Sequence, residues 1–208
     1  MEKRYESVQK YIVKLRRDLH QIPELGTELP KTKEYIVKEL ERLEIPYICS
    51  EKDSGILATI KGGRRGRTVA LRTDMDALPL EEETDLPFAS VHPGCMHACG
   101  HDAHMAILLG AARLLNIQKK NLCGTVRLIF QTAEEISRGS EIAIVNGYLE
   151  GVDAVFGLHI GSILGKEIPS GTLIFPRACC MASFDKFILK IRGKSCHGST
   201  PEKGVDPV

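Results

Sequence analysis

The stretch from Gly94 to Leu115 reads Gly-Cys-Met-His-Ala-Cys-Gly-His-Asp-Ala-His-Met-Ala-Ile-Leu-Leu-Gly-Ala-Ala-Arg-Leu-Leu. Its first eleven residues concentrate two cysteines, three histidines and one aspartate, which are side chains that bind divalent metal ions. Apolar residues then recur at helical spacing, which predicts a helix that packs against a core. Asp102, just before this pattern, is expected to be the N-cap of that helix. We therefore expect candidate metal ligands at the beginning of a buried helix.

The composition is that of an ordinary globular protein without a charge signature. The 208 residues carry 28 basic and 27 acidic side chains, for a net charge of +1. This balance predicts no nucleic-acid partner and no anionic membrane surface as partner. The first residues lack the apolar segment of a signal peptide, which favours a cytoplasmic location. Seven cysteines without framework spacing predict free thiols or metal ligands rather than disulfides.

Two amphipathic helices and a first group of strands are predicted before residue 80. Val8, Ile12, Leu15 and Leu19 form one apolar stripe, and a second helix ends at Pro46. His20 falls in the last turn of the first helix, where a role at the carbonyl end and a functional role both stay open. Short strands are expected at 47–50, 55–60 and 68–72, and residues 80–101 are predicted to form a long loop.

Acidic and imidazole side chains follow three predicted strands. Asp74 and Asp76 come after the strand at 68–72, and Glu134-Glu135 come after an apolar strand at 124–131 that is expected to be covered on both faces. A third buried strand, 154–158, leads into His159. Ligands collect at the carboxyl ends of strands in open α/β sheets. We therefore expect these side chains to converge on one edge of an α/β sheet.

The pattern changes after Gly165. An outer strand is predicted at 166–175, and Phe187, Leu189 and Ile191 alternate with charged residues, which is typical of an antiparallel sheet with one wet face. We place a domain boundary near residue 182, with a metal-binding domain at 1–181 and the start of a second domain at 182–208.

Three chemical interpretations of the cluster are open from the residues alone. In the first, a zinc-like ion activates water for hydrolysis. Its thiolate, imidazole and carboxylate ligands would come from Cys99, His101, Glu134, Glu135 and His159. In that case one of the adjacent glutamates binds metal and the other moves a proton. A second interpretation is a closed structural zinc site, and a third is a cysteine nucleophile. The candidate ligands of the structural site are Cys95, His97, Cys99, His101 and His104. The candidate nucleophiles are Cys99 or Cys196, beside His101 or His197.

The order and spacing of several motifs resemble the amidohydrolase branch of the M20 metallopeptidases. They cover essentially the whole chain: Arg-Asp-Leu-His at 17–20, Asp-Met-Asp-Ala-Leu-Pro at 74–79, Met-His-Ala-Cys-Gly-His-Asp at 96–102, Ala-Glu-Glu at 133–135, Gly-Leu-His at 157–159, and 193–207. That group includes aminoacylase-like, hippurate and auxin-conjugate amidohydrolases. The resemblance implies a three-layer α/β/α catalytic domain, here incomplete, with the start of an inserted α+β lid domain.

The resemblance also implies a set of roles and partners. Cys99, His101, Glu135 and His159 would bind two divalent metal ions, zinc or manganese before cobalt or nickel. Glu134 would be the general base and acid, and Asp76 a carboxylate that orients the site. His197 of the lid would bind the substrate carbonyl or the tetrahedral oxyanion, in some relatives across a homodimer formed by the lid. The implied reaction is hydrolysis of an N-acyl amino acid or related conjugate.

Two departures from the family pattern carry further expectations. His159 is followed by Ile160-Gly161-Ser162, where the family often has an aromatic residue and a proline. Family members are nearly twice as long, and a further metal-binding histidine would lie beyond Val208. We therefore expect a C-terminally truncated chain, and residues 1–208 alone to be poorly stable and inactive or nearly so. The alternative is a truncated fragment or metal-binding module without catalysis.

Overall fold

The computed structural model describes residues 2–161, 167–178, 185 and 187–208, with side chains from residue 7 onward. These residues form two compact units, Met1–Pro169 and Ser170–Val208. The domain boundary expected near residue 182 lies outside the described residues, and so does the first residue of the outer strand expected at 166–175.

A five-stranded mixed sheet forms the centre of the first unit. Its strands are β1 (Tyr47–Cys49), β2 (Ile56–Lys61), β3 (Arg64–Asp74), β4 (Cys123–Gln131) and β5 (Ala154–Gly157), in the order β1-β2-β4-β3-β5. β3 pairs in parallel with both β4 and β5, while β2 pairs antiparallel with β1 and β4. The carboxyl ends of β3, β4 and β5 therefore lie at one edge, as the sequence predicts.

Three helices cover one face of this sheet: α1 (Glu2–His20), α2 (Pro30–Arg42) and α3 (His101–Ile117). The apolar stripe of α1 is buried at Leu15 and Leu19, and Leu109 of α3 is fully buried. These side chains pack with Ile56 of β2 and Phe130 of β4 into the main core. Burial of such side chains contributes about 1.5–3 kcal/mol each. The core thus fixes the beginning of α3 relative to the strand ends.

A short helix, α4 (Gly139–Val145), covers the opposite face. Ile129 and Leu57 point to this side, against Ala143 and Tyr148, while their neighbours along β4 and β2 point to the main core. The first unit is therefore a three-layer α/β/α structure, which confirms the predicted fold class. The expectation that β4 is covered on both faces is also confirmed.

The predicted burial of β5 and the predicted strand that includes Phe187 are wrong. β5 was expected to be buried, but Val155 and Phe156 are 50% and 60% exposed. β5 lies at an end of the sheet and pairs on one side, with β3, which apolar composition alone does not reveal. Phe187, Leu189 and Ile191 in the second unit are exposed and belong to no strand among the described residues. An alternating pattern forms a strand only where a neighbouring strand accepts its hydrogen bonds.

The described residues of the second unit contain little regular structure. Pro201–Lys203 form one 3-10 turn, and Lys194 and Val205 exchange backbone hydrogen bonds at 2.9 Å. No outer strand is formed by the described part of 166–175. Among the described residues of both units, no helix has the length and apolar character needed to cross a membrane.

Candidate metal centre

Ligand side chains from three segments meet where the parallel strands end. Cys99 and His101 lie at the beginning of α3, Glu134 and Glu135 follow β4, and His159 follows β5. Three sets of side chains have ligand atoms within 4.8 Å of one another: Cys99, His101 and His159; Asp74, His101 and His104; and His101, Glu134 and Glu135. The structure thus brings together the metal-site residues that the sequence proposes in the first unit.

His101 is the centre of this cluster and has one free nitrogen. The ring is fully buried, and its Nδ1 lies 2.7 Å from the backbone carbonyl of Asp76. A carbonyl only accepts, so Nδ1 donates, and in the neutral ring Nε2 carries the lone pair. Nε2 has no hydrogen-bond partner, and it lies 3.8 Å from Glu134 Oε2 and 3.7 Å from Glu135 Oε1. A buried imidazole held in this tautomer presents its lone pair to the carboxylates, which is the arrangement of a metal ligand.

The donor set fits a divalent cation. Glu135 Oε1 is also buried without a hydrogen-bond partner, and such orphaned acceptors are costly unless a proton or a cation compensates them. Cys99 Sγ lies 3.3 Å from His159 Nε2. Burial, followed by the negative charges of Glu135, Glu134 and Asp74, raises the pKa of Cys99 to about 12. Thiol, imidazole and carboxylate together form a ligand set typical of zinc-like ions.

Asp76 holds the turn that carries both glutamates. The backbone N–H of Glu134 donates to Asp76 Oδ1 at 3.0 Å, and that of Glu135 donates to Oδ2 at 3.1 Å. Burial raises the pKa of Asp76, against the lowering effect of these two hydrogen bonds. Ala133, which precedes the glutamates, has a φ of 55°, in the left-handed region. The Asp76 carboxylate therefore orients a strained turn and lies beside the ligands.

Two residues near the centre, Asp74 and His104, received no role in the hydrolytic interpretation of the sequence. Asp74 Oδ1 lies 2.7 Å from His104 Nδ1, and Asp74 Oδ2 accepts a hydrogen bond from Arg72 Nη1 at 2.8 Å. Burial would raise the pKa of Asp74, but the hydrogen bond from His104 and the nearby His101 and Arg72 outweigh it and hold that pKa at about 2. Two signals in the sequence point to these residues. One is the Asp-x-Asp motif after a strand, and the other is the three-residue spacing that puts His101 and His104 on one helix face.

Asp102 does not cap α3, so the N-cap prediction is wrong. The helix begins at His101, the N-cap position is Gly100 with a φ of 93°, and no side chain caps it. Asp102 Oδ2 instead lies 2.9 Å from Arg16 Nε and 2.7 Å from His20 Nδ1. A residue inside the first turn no longer has the geometry of a cap.

His20 connects α1 to the long loop. Its Nε2 lies 3.1 Å from Glu82 Oε1, while its Nδ1 contacts Asp102. Glu82 Oε2 in turn accepts the backbone N–H of Ser90 at 2.6 Å. The hydrogen bond to Asp102 is the main cause of the raised pKa of His20. His20 therefore ties the loop at 80–100 to the beginning of α3.

The structural zinc site is not supported by the described residues. Cys95 and His97 are buried, but neither belongs to any group of ligand atoms close enough to share an ion among those residues. Both ring nitrogens of His97 lack a hydrogen-bond partner, and burial lowers its pKa to about 4. His97 is thus a neutral buried ring beside the cluster.

His197 lies in the second unit, on the surface. Its Nδ1 accepts the backbone N–H of Ser199 at 3.3 Å. The proton of the neutral ring is then on Nε2, which leaves that N–H available as a donor.

Comparison with known proteins finds similarity to one family of peptidases. Residues 70–172 match the model described as peptidase family M20/M25/M40. N-acetyl-L-cysteine deacetylase of Bacillus subtilis is 44% identical over 202 residues, which are 97% of this chain and 48% of that protein. Thermostable carboxypeptidase 1 of Saccharolobus solfataricus is 42% identical over 207 residues, 97% of this chain and 51% of that protein.

A solved structure agrees with the fold. A Bacillus subtilis protein described as a dinuclear metal-binding peptidase from the M20 family is 44% identical and superposes with a TM-score of 0.72, over 74% of this chain and 43% of that chain. The chain spans about half the length of the curated relatives it matches.

Proposed function

The chain belongs to the M20/M25/M40 family of peptidases, and from this membership we propose that it carries the metal centre of an amide hydrolase. The proposed reaction is hydrolysis of the amide bond of an N-acyl amino acid or a related conjugate. The observation that carries the proposal is the pair of buried, unpartnered ligand atoms, His101 Nε2 and Glu135 Oε1, 3.7 Å apart. The deacetylase relative supports an acyl amino acid as substrate.

The proposed metal ligands are Cys99, His101, Glu135 and His159. Their chemistry and proximity support this assignment, and the relative described as dinuclear supports two divalent ions, with zinc or manganese before cobalt or nickel. A bound divalent ion would polarise the scissile carbonyl and lower the pKa of the attacking water. The proposed location is the cytoplasm, where reducing conditions keep Cys99 available as a ligand.

Glu134 is the proposed general base and acid. Its side chain is 37% exposed, against 17% for Glu135, so it is the glutamate that reaches water and substrate more easily. Glu134 takes a proton as the water oxygen bonds to the amide carbon. It then gives that proton to the nitrogen as the carbon–nitrogen bond breaks, which releases a carboxylate and a free amino acid.

Asp76 and His197 have supporting parts in the proposal. Asp76 holds Glu134 and Glu135 through their backbone N–H groups and so fixes where both carboxylates begin. His197 donates its Nε2–H to the substrate carbonyl or the tetrahedral oxyanion. In this proposal it acts from the lid domain, within one chain or across a homodimer.

Two alternatives differ in chemistry. A cysteine nucleophile at Cys99 is disfavoured, because a thiol pKa of about 12 leaves little thiolate at neutral pH. A metal-binding module without catalysis would keep the same ligands but turn over no amide.

Turnover of a panel of N-acetyl amino acids, with and without a chelator, separates these alternatives. We expect the purified protein to lose activity on metal removal and to regain it with zinc or manganese. Activity that survives complete metal removal would contradict the proposal and favour the thiol. Metal binding without turnover would favour the module.

A further inference from the structure

A series of polar contacts through the buried side chains of Asp74 and His104 links the sheet to the residue that follows His159. Arg72 donates from Nε to Gln131 Oε1 at 2.9 Å and from Nη1 to Asp74 Oδ2 at 2.8 Å. Asp74 Oδ1 contacts His104 Nδ1, and the backbone N–H of Ile160 donates to His104 Nε2 at 2.9 Å. Asp74 and His104 are 1% and 3% exposed, so water has little access to the bond between them.

The contacts fix the tautomer of His104. A backbone N–H only donates, so Nε2 of His104 must accept and cannot carry the proton. The proton of the neutral ring is then on Nδ1, where it donates to the Asp74 carboxylate. Both nitrogens are occupied in this way. His104 is therefore not free to bind a metal, although its ring lies close to His101.

Ile160 is held a second time through its side chain. A Cβ placed on Gly100 would lie 2.5 Å from Ile160 Cδ1, so the isoleucine packs directly on the glycine between Cys99 and His101. β5, which leads to His159, is an edge strand of four residues with exposed side chains. The end of such a strand frays unless other contacts hold it.

We propose that Asp74 and His104 are positioning residues of the metal centre, which fix His159 against Cys99 and His101 by holding the backbone of Ile160. The inference rests on the ligand set of the proposed function. It goes beyond that set because the proposed ligands include neither residue. Partners that orient metal ligands in this way change metal affinity by about 10–100-fold when they are removed.

Two substitutions separate the two hydrogen bonds of His104. The Asn side chain in His104→Asn can still donate to Asp74, but it is too short to reach the Ile160 N–H. The Gln side chain in His104→Gln reaches as far as the imidazole Nε2, and its amide oxygen can accept from Ile160. We expect the zinc or manganese dissociation constant to rise about 10–100-fold in the Asn variant, and the Gln variant to bind more tightly than the Asn variant. Amide exchange of Ile160 should accelerate in the Asn variant.

Asn116→Ala is the matched control. Asn116 lies on the same helix, and its Nδ2 donates to the Leu43 carbonyl at 2.7 Å, near the other end of α3. This variant should lose stability but keep its metal affinity. Metal affinity is measured without substrate, so failure of hydrolysis leaves the test intact.

The outcomes are distinct. Wild type that binds neither ion would contradict the proposed function itself. If the wild type binds the ion and the Asn variant binds it equally well, only the positioning role is overturned. Equal losses of metal affinity in the Asn and Gln variants would overturn that role too. If neither variant folds, the ¹⁵N chemical shifts of His104 in the wild type decide. A proton on Nδ1 with Nε2 accepting supports the inference, and the opposite tautomer overturns it.

Discussion

The Asp76→Asn substitution is expected to loosen the turn that carries both glutamates. Its amide oxygen can replace one acceptor, but the NH2 group then faces a backbone N–H that was bonded to a carboxylate oxygen. A hydrogen bond to a charged group contributes about 1.5–3 kcal/mol. The neutral amide also avoids the burial cost that raises the pKa of Asp76. The net loss of unfolding free energy should be roughly 1–3 kcal/mol.

The same substitution should weaken metal binding. Ala133 is held at a φ of 55°, which costs a residue with a side chain about 1–2 kcal/mol, and the two hydrogen bonds to Asp76 offset that cost. Once one bond is lost, the turn can relax and carry Glu135 away from His101 Nε2. We expect the metal dissociation constant to rise about 10–100-fold.

Urea unfolding followed by circular dichroism suits this test, because the chain contains no tryptophan. Metal affinity is measured by competition with a chromophoric chelator. Asp153→Asn is the control, since Asp153 Oδ2 also accepts a backbone N–H at 2.7 Å, that of Thr68 in the first half of β3, away from the end of the strand at the metal centre. The control should lose stability only. An Asp76→Asn protein with wild-type stability and wild-type metal affinity would refute the reasoning.

Two further perturbations test neighbouring contacts. The bond to Asp102 raises the pKa of His20 above its ordinary 6.5, so its contribution to stability is fully present below that value and lost as pH rises through the folded-state pKa. As the pH rises from below 6.5 through the folded-state pKa, the urea midpoint of unfolding should therefore fall in the wild type and change less in His20→Gln. Equal slopes of the midpoint against pH in the two proteins would refute the role of His20. Gly100→Ala should lower the free energy of unfolding by about 1–3 kcal/mol and weaken metal binding, since the Cβ of the alanine would meet the Ile160 side chain. A Gly100→Ala protein with the stability and metal affinity of the wild type would contradict the close packing.

Much of the site follows from local pattern and strand direction. Apolar strands followed by Asp76, by Glu134-Glu135 and by His159 predict convergence, because parallel neighbours end at the same edge. The structure has β3, β4 and β5 in that arrangement. The helix after Cys99 and His101 is likewise evident from its apolar spacing.

Contacts between distant residues were not accessible in the same way. The pairing of His20 with Asp102 joins residues 82 positions apart, so the sequence pattern suggested a cap at Asp102 instead. The roles of Asp74 and His104 depend on where Ile160 returns to α3, which no local pattern encodes. Strand order could not be predicted from local sequence either. Phe156 is apolar, as buried residues usually are, but it lies on an edge strand and is exposed.

The central claim is that Glu134 moves the proton while Glu135 helps to bind the metal. Glu134→Gln keeps the size of the side chain and removes the base, and metal content and kcat are measured on the same preparation. We predict unchanged metal stoichiometry and a kcat reduced by about 10²–10⁴-fold, the usual contribution of a general acid–base group. A Glu134→Gln protein with wild-type kcat, or one that has lost its metal, would contradict this assignment.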